Sequence, residues 1–115
     1  MSIHATAIIE EGAQIGNVSV GPFCYIGADA VLHDGVVLQN NVVIKGATEI
    51  GARTIVHPYA VLGGPPQHLG CTGDGTALKI GEDNIVREHV TMNRGTIPGG
   101  GVTKIGDSGF FMAGA

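Results

Sequence analysis

Residues 20–62 read VGPFCY IGADAV LHDGVV LQNNVV IKGATE IGARTI VHPYAV L when they are divided into groups of six. Every group opens on a branched aliphatic residue: Val20, Ile26, Leu32, Leu38, Ile44, Ile50, Val56 and Leu62. A period of six matches neither a helical turn of about 3.6 residues nor the two-residue alternation of a simple strand. It matches a chain that turns a corner every six residues and directs one aliphatic side chain inward each time. The stretch therefore predicts the hexapeptide repeat of a parallel β-helix.

The same spacing continues on both sides of this stretch. These further aliphatic or aromatic anchors are Ile3, Ile9, Ile15, Ile80, Val86, Met92, Ile105 and Phe111, with one residue missing between Ile15 and Val20. A second set of small or β-branched residues precedes the anchors and is also predicted to point inward: Ala7, Ala13, Ser19, Cys24, Ala30, Val36, Val42, Thr48, Thr54 and Ala60. Stacked repeats of this kind bury one continuous core, here in about five coils.

The composition agrees with a narrow core. Glycine accounts for 20 of 115 residues, aromatic residues for 4%, and tryptophan is absent, while a hydrophobic content of 43% excludes a disordered chain. No apolar run approaches the roughly 20 residues that span a bilayer, and the N-terminus lacks the features of a signal peptide, so we expect a cytoplasmic protein. A net charge of −4 without a Lys/Arg cluster predicts no nucleic-acid partner. Cys24 is expected in the core and Cys71 in a loop, without a disulfide between them.

Two interruptions of the repeat are predicted to be excursions from the coils, at residues 63–79 and 97–104. In the first, Leu62 and Ile80 are eighteen positions apart, but the intervening anchor positions hold His68 and Asp74. Burying these polar side chains in the prism would cost roughly 1–3 kcal/mol each unless they were paired. The alternative is that both segments are disordered insertions. Long breaks in compact scaffolds are more often ordered and functional, which favours excursions that carry a site.

Several motifs together resemble a known enzyme family. They are IHATAII at 3–9, GPFC at 21–24, GPPQ at 64–67, IVREHVTMNRGT at 85–96 and GGGVTKIG at 99–106. In this order they resemble the N-terminal part of the UDP-N-acetylglucosamine O-acyltransferases of lipid A biosynthesis, over essentially residues 1–115. The sister N-acyltransferases of that pathway resemble the chain less, because they carry a uridine-binding domain before their coils.

The resemblance implies an all-β, single-stranded, left-handed parallel β-helix that assembles as a homotrimer. It further implies transfer of a 3-hydroxyacyl group from acyl carrier protein to the 3-hydroxyl of UDP-N-acetylglucosamine, without a cofactor. That chemistry needs a general base for the sugar hydroxyl and donors for the oxyanion.

The family pattern also implies where the site residues lie. Gln67 and His68 align with a Gln-Asp pair that approaches the sugar nucleotide, so a mostly neutral imidazole replaces a carboxylate. Asn93 aligns with a frequent family histidine near the ligand; otherwise it is a corner residue of the coil. The family's catalytic histidine follows the segment that aligns with residues 111–115, so it is expected beyond Ala115. We therefore expect an inactive N-terminal fragment with no catalytic residue, in which the family's later coils and helical domain are absent.

Other interpretations remain open at this stage. One is a β-helical binding or scaffold module without catalysis, and another is an acyltransferase that uses His68 or His89 as its base. A zinc site needs converging imidazoles, but His33 and His57 are predicted on different faces of the prism, so no metal is expected. Ion pairs are expected on the surface among Asp83, Arg87 and Glu88. The sequence does not indicate the length of the acyl chain.

Overall fold

The computed structural model describes residues 1–115 and contains sixteen short strands in three parallel sheets. Sheet A comprises β1 (Ser2–Ile3), β4 (Ser19–Val20), β7 (Val37–Leu38), β10 (Ile55–Val56), β13 (Ile85–Val86) and β16 (Phe110–Phe111). Sheet B comprises β2 (Ile8–Ile9), β5 (Tyr25–Ile26), β8 (Val43–Ile44), β11 (Val61–Gly64) and β14 (Thr91–Asn93). Sheet C comprises β3 (Gln14–Ile15), β6 (Val31–Leu32), β9 (Ala47–Ile50), β12 (Ala77–Ile80) and β15 (Val102–Ile105).

Successive strands belong to successive sheets, so the chain visits A, B and C in turn and forms the predicted left-handed parallel β-helix. Strands of one sheet pair in register, as Ile26 does with Ile44 and Ile44 with Leu62. Backbone bonds join each coil to the next; the N–H of Tyr25, for example, donates to the carbonyl oxygen of Val42 at 2.9 Å. Short strands suffice because each residue pairs with the coils on both sides. No helix in the structure is long and apolar enough to cross a membrane.

The predicted anchors fill the interior of the prism. Nineteen buried hydrophobic residues form one cluster, and Ile26, Ile44, Ile50, Val56 and Leu62 within it are fully buried. Parallel in-register pairing stacks each anchor on the anchor of the next coil, which is why a period of six becomes a continuous core.

One inward position was predicted wrongly. Ser19 is exposed, whereas Val18 is buried with 2% of its surface accessible. The inward residue always lies two positions before the anchor, which is Val20 in this coil. The turn between β3 and β4 is therefore one residue shorter than the neighbouring turns, and the spacing of inward residues in β4 is unchanged. Cys24 is buried as predicted, and both cysteines are free.

Most corners are formed by a residue in the left-handed region, three positions before the anchor. Seven of these are not glycine, among them Phe23 (φ 59°), Asn41 (φ 57°), Tyr59 (φ 68°) and His89 (φ 62°). These four lie at one corner, between sheets A and B, on successive coils. The rings of Tyr59 and His89 stack there, with centroids 5.3 Å apart and planes 9° from parallel. Contacts between coils, such as this stacking, thus offset the energetic cost of a positive φ at a large residue.

Candidate functional site

Both long connections leave the prism at the same corner. The first excursion, residues 65–76, links β11 to β12, and the second, residues 94–101, links β14 to β15. Each runs from sheet B to sheet C, on consecutive coils, so the two segments lie one above the other. His68 and Asp74 are both exposed on the first excursion, outside the prism.

The predicted site residues gather at this corner. Gln67 and His68 lie on the first excursion with exposed side chains, and Asn93 ends β14 with a partly buried side chain. Asn93 pairs with Gly64 after a register shift in β11, and a Cβ placed on Gly64 would lie 3.5 Å from Asn93 Oδ1. The carboxamide of Asn93 therefore lies at the foot of the loop that carries Gln67.

His68 organises the tip of the first excursion. Its N–H donates to the Pro66 carbonyl oxygen at 2.8 Å, and its own carbonyl oxygen accepts from the Cys71 N–H at 3.1 Å. The Gly70 N–H donates to His68 Nδ1 at 3.0 Å, so the neutral ring carries its proton on Nε2. An exposed N–H donor therefore lies at the position where the resemblance predicts a carboxylate acceptor.

The second excursion is a glycine-rich turn closed on Thr96. The N–H groups of Gly99 and Gly101 donate to the Thr96 carbonyl oxygen at 3.1 and 2.8 Å. Gly95 begins the turn where the chain doubles back closely, because a Cβ there would lie 2.6 Å from the backbone nitrogen of Val102. The Gly95 N–H also donates to Ala77 at the start of β12, at 3.2 Å. The base of the second excursion is thus hydrogen-bonded to β12, the strand that follows the first excursion.

Ala115 ends the segment that the resemblance predicts to precede a catalytic histidine. This exposed residue closes the turn after β16, where its N–H donates to the Met112 carbonyl oxygen at 3.1 Å. Its own carbonyl oxygen accepts from the Thr91 N–H of β14 at 3.0 Å, so the backbone at Ala115 is docked on sheet B. An alanine offers no group for proton transfer, and a catalytic histidine beyond Ala115 stays a prediction.

The remaining histidines are spread over the surface in separate settings. His4 Nδ1 lies 2.9 Å from Thr6 Oγ1, and His33 Nε2 lies 2.7 Å from Glu49 Oε2. His57 follows β10 of sheet A and His33 follows β6 of sheet C, so they lie on different faces, as predicted. No three His, Cys, Asp or Glu side chains are close enough together to hold a metal ion.

The ion pairs differ in part from the prediction. Arg87 pairs with Glu88 at 2.9 Å, and this hydrogen bond lowers the pKa of Glu88. Asp83 pairs with Arg53 instead of Arg87, at 2.8 Å, and the Arg53 hydrogen bond lowers the pKa of Asp83. Arg53 and Asp83 both occupy the corner between sheets C and A on consecutive coils, which explains a contact between residues distant in sequence.

A charged groove of about 570 Å³ lies on the outer face of sheet C, and the sequence reasoning missed it. Its lining includes Glu49, Lys79 and Lys104, which are paired in register on β9, β12 and β15. All three directly precede an anchor, which is the signal that could have placed them on one face. The groove reaches the corner that holds Arg53 and Glu82, on the opposite edge of sheet C from the excursions.

Comparison with known proteins agrees with this architecture. Residues 29–64 match the bacterial transferase hexapeptide model of six repeats. The chain is 48% identical over 98% of its length to an acyl-(acyl-carrier-protein)–UDP-N-acetylglucosamine O-acyltransferase of Rickettsia typhi, and 52% identical over 97% to one of Mesorhizobium japonicum. These alignments cover 43% and 40% of the two relatives, so the chain spans less than half of their length.

Solved structures give the same result. The UDP-N-acetylglucosamine acyltransferase of Bacteroides fragilis superposes with a TM-score of 0.94 at 37% identity, covering 97% of this chain and 44% of that one. The enzyme of Moraxella catarrhalis superposes with a TM-score of 0.95 at 37% identity, covering 98% and 44%. On sequence and structure together, the chain is a hexapeptide-repeat β-helix that resembles the N-terminal part of the UDP-N-acetylglucosamine O-acyltransferases.

Proposed function

We propose that these residues form the loop side of the sugar-nucleotide site of a UDP-N-acetylglucosamine O-acyltransferase. In the proposed reaction the sugar 3-hydroxyl attacks the thioester of a 3-hydroxyacyl chain on acyl carrier protein. The ester forms as the carbon–sulfur bond breaks, and the carrier leaves as a thiol. The reaction uses no cofactor, takes place in the cytoplasm and begins lipid A biosynthesis. Identity of 48% over 98% of the chain carries this proposal.

The placement of three side chains supports a role in holding the acceptor sugar. Gln67 presents an exposed carboxamide, which both donates and accepts hydrogen bonds. His68 presents its Nε2 edge as a donor, because Nδ1 already accepts from Gly70. Asn93 offers a second carboxamide at the foot of the loop. Hydroxyl and amide groups of an amino sugar are recognised by side chains of this kind.

We place the general base outside the five histidines of these residues, beyond Ala115. His33 is bonded to Glu49 on sheet C, and His89 is stacked on Tyr59 at the corner between sheets A and B. Neither lies at the corner of the two excursions. His68 does, but its Nδ1 is engaged by a backbone N–H, so its exposed nitrogen is a donor in the neutral ring. We therefore expect residues 1–115 by themselves to bind the sugar nucleotide without turning it over.

We also propose a homotrimer, which the outer faces of the sheets support. Sheets A and B present mainly apolar side chains outward, including Ile8 and Phe110, which are 56% and 57% exposed. Phe23 and Tyr59 extend this apolar surface around the corner between the two sheets. Sheet C instead presents Glu49, Lys79 and Lys104. A closed ring of three needs two different complementary patches on each subunit, and sheets A and B supply them.

Light scattering on the purified chain tests the assembly. We expect a trimer for the wild type and dissociation for Ile8→Glu, because a charge then faces the neighbouring subunit. Lys104→Glu on sheet C serves as the control and leaves the trimer intact. A monomeric wild-type chain contradicts this part of the proposal.

Isothermal titration with UDP-N-acetylglucosamine tests the ligand, and mass spectrometry of a mixture with 3-hydroxyacyl carrier protein tests turnover. Gln67→Ala and Asn93→Ala should each weaken binding about tenfold, as expected for the loss of one hydrogen-bonding group. Gln14→Ala, on the outer face of sheet C, is the matched control. Acylated sugar produced by residues 1–115 contradicts the placement of the base. A trimer that binds no sugar nucleotide favours the scaffold interpretation.

A further inference from the structure

Arg94 contacts both ends of the first excursion. It directly follows β14, and its backbone N–H donates to the Gly64 carbonyl oxygen at 2.8 Å, where β11 ends and the loop begins. Its guanidinium reaches the returning half of the loop, because a Cβ placed on Gly73 would lie 3.2 Å from Arg94 Nη2. One residue of the second excursion therefore holds the outgoing and the returning chain of residues 65–76.

The guanidinium lies in a slot that exists only because two residues are glycine. On the coil side, a Cβ on Gly46 would lie 2.5 Å from Arg94 Nη1 and 2.8 Å from Cδ and Cζ. On the loop side, Gly73 lies between Arg94 and Pro66, and a Cβ there would lie 2.6 Å from Pro66 Cδ. Any side chain at position 46 or 73 would displace the guanidinium or the proline.

The charge environment of Arg94 differs from that of the other arginines. Arg53 and Arg87 form ion pairs with surface carboxylates. Arg94 takes part in no ion pair, and its Nε is sealed from solvent without a hydrogen-bond acceptor. A buried donor without an acceptor is unfavourable, so polar bonding does not account for this placement. Shape does, because a flat guanidinium fits a narrow slot that a lysine ammonium would not fill.

The first excursion has no hydrogen bond to the coils, so packing contacts such as that of Arg94 hold it in place. Every hydrogen bond made by residues 65–76 as donor or acceptor has both partners inside the segment, such as Thr76 Oγ1 to the Gly73 carbonyl oxygen at 2.6 Å. The loop is thus an internally bonded unit whose orientation over the coils is set by packing at its base.

We infer that Arg94 is a positioning residue, which fixes the first excursion over the coils and so presents Gln67 and His68 to the sugar nucleotide. The identity of the ligand rests on the proposed function. A separate experiment tests the mechanical part of the inference. This part states that the guanidinium, in the slot between Gly46 and Gly73, immobilises residues 65–76.

A double-mutant cycle between Gly46→Ala and Arg94→Ala, read by amide hydrogen exchange, tests the slot. In the wild-type background the new methyl group expels the guanidinium, whereas in the Arg94→Ala background the three atoms nearest to it are absent. The positive φ of Gly46 (58°) strains an alanine equally in both backgrounds, so this cost cancels in the cycle. A loop that is not held on the coils opens its internal hydrogen bonds more often, so we expect exchange of the Gly70, Cys71 and Thr76 amides to rise about tenfold in each single variant and no further in the double variant. Coil amides such as Val61 should not change. Gly114→Ala is the matched control, because φ is also positive there (79°) and a Cβ meets no atom within 4 Å.

The affinity for UDP-N-acetylglucosamine tests the positioning. Arg94→Ala and Arg94→Met should weaken binding about tenfold, because Met keeps the length of the side chain but not the guanidinium. Loop exchange within twofold of the wild type in Arg94→Ala overturns the inference. The inference also fails if the effects of the two substitutions on loop exchange are additive, or if Arg94→Met has the loop exchange and affinity of the wild type. It fails as well if the affinity is unchanged in a variant whose loop exchange has risen. If the wild type binds no sugar nucleotide, the proposed function fails and the exchange data still decide the role of the slot.

Discussion

Replacing Asn84 with alanine is expected to loosen the last coil and leave the earlier coils intact. Asn84 is fully buried two positions before Val86, where other coils mostly carry a small or aliphatic residue. Its Nδ2 donates to the Gly106 carbonyl oxygen at 2.8 Å, and its Oδ1 accepts from the Gly109 N–H at 2.7 Å. Both partners belong to the next turn of the chain, so this side chain joins two successive coils.

The expected magnitude follows from these two bonds. Each has near-ideal length and contributes about 1 kcal/mol net, while the third contact, from Nδ2 to the Glu82 carbonyl oxygen at 3.4 Å, is too long to add much. Alanine also leaves the Gly106 carbonyl and the Gly109 N–H without their partner, at a cost of about 1–3 kcal/mol if they stay dry. We expect a total loss of about 2 kcal/mol if water reaches these groups and up to about 5 kcal/mol if they stay dry. The lower bound corresponds to about a 30-fold change in an equilibrium constant.

Native-state hydrogen exchange is the appropriate assay because stacked coils respond locally. The Ile85 and Arg87 amides donate to the carbonyl oxygens of Gly109 and Phe111, both at 2.9 Å, so they report the docking of the last coil. Their exchange should rise at least about 30-fold in Asn84→Ala, while the Val43 amide stays unchanged. Asn40→Ala is the control, since Asn40 bonds only to the neighbouring Asn41 side chain. A rise below threefold at Ile85, or an equal rise at Val43, refutes the reasoning.

Asn84→Asp extends this prediction to pH. The buried carboxyl would face the carbonyl oxygens of Gly106 and Glu82, which favour its protonated form, so its pKa should rise in the folded state. A folded chain that binds more protons than the unfolded chain loses stability as the pH increases. The last coil should therefore be protected below the ordinary pKa of a carboxyl group and become labile above the raised value. Exchange of Ile85 that is independent of pH, after correction for intrinsic rates, contradicts the argument.

Three further predictions concern the core, the surface and the thiols. Ile50→Ala should lower the free energy of unfolding by about 2–5 kcal/mol in urea titrations, because Ile50 is fully buried, whereas Lys79→Ala on the outer face of the same sheet should change it by less than about 0.5 kcal/mol. The Arg53 hydrogen bond lowers the pKa of Asp83, so the pair stabilises the fold above the ordinary carboxyl pKa and is lost as the pH falls through the lowered value. Carbon NMR titration should return Asp83 to its ordinary pKa in Arg53→Met, and an unchanged titration contradicts the assignment. Burial raises the pKa of the Cys24 thiol, so a thiol reagent should modify only Cys71 in the native protein and both cysteines after unfolding.

The repeating part of the fold was predictable because its geometry is local. An anchor every sixth residue can be buried only if the chain turns at the same interval, and Ile26, Ile44 and Leu62 stack as that spacing requires. The exposed Ser19 shows the limit of this reasoning. A repeat that is one residue short can have a shorter strand or a shorter turn. Only the pairing of β4 with β7 shows that the turn is the shorter part.

The corners were harder to predict because contacts between coils override residue preference. Glycine is expected where φ is positive, but Tyr59 and His89 occupy such positions. The Tyr59 N–H donates to the Asn41 carbonyl oxygen one coil away at 3.1 Å, and its ring stacks on His89. These contacts join residues 18 to 30 positions apart, so no window of sequence contains them.

The residues of the candidate site come from recognisable motifs, and their role in binding stays a prediction. Gln67, His68 and Asn93 were identified from the resemblance, and all three lie at the corner of the two excursions. Arg94 belongs to the same motif as Asn93, but nothing in the sequence connects it to Gly46 or Gly73. That connection needs the stacking of three coils, since residues far apart in the chain become neighbours only through the register of the sheets.

The architecture explains why both excursions share a corner. An excursion changes the chain length between two strands, but the sheets stay in register if the chain returns to the sheet it would have entered anyway. Residues 65–76 and 94–101 both satisfy this condition between sheets B and C, so β12 still pairs with β9 and β15 with β12. Consecutive coils are only about 4.8 Å apart, so a side chain at the base of one excursion lies within reach of its neighbour. The contact of Arg94 with the loop before it follows from this spacing, as does the proximity of Asn93 to that loop.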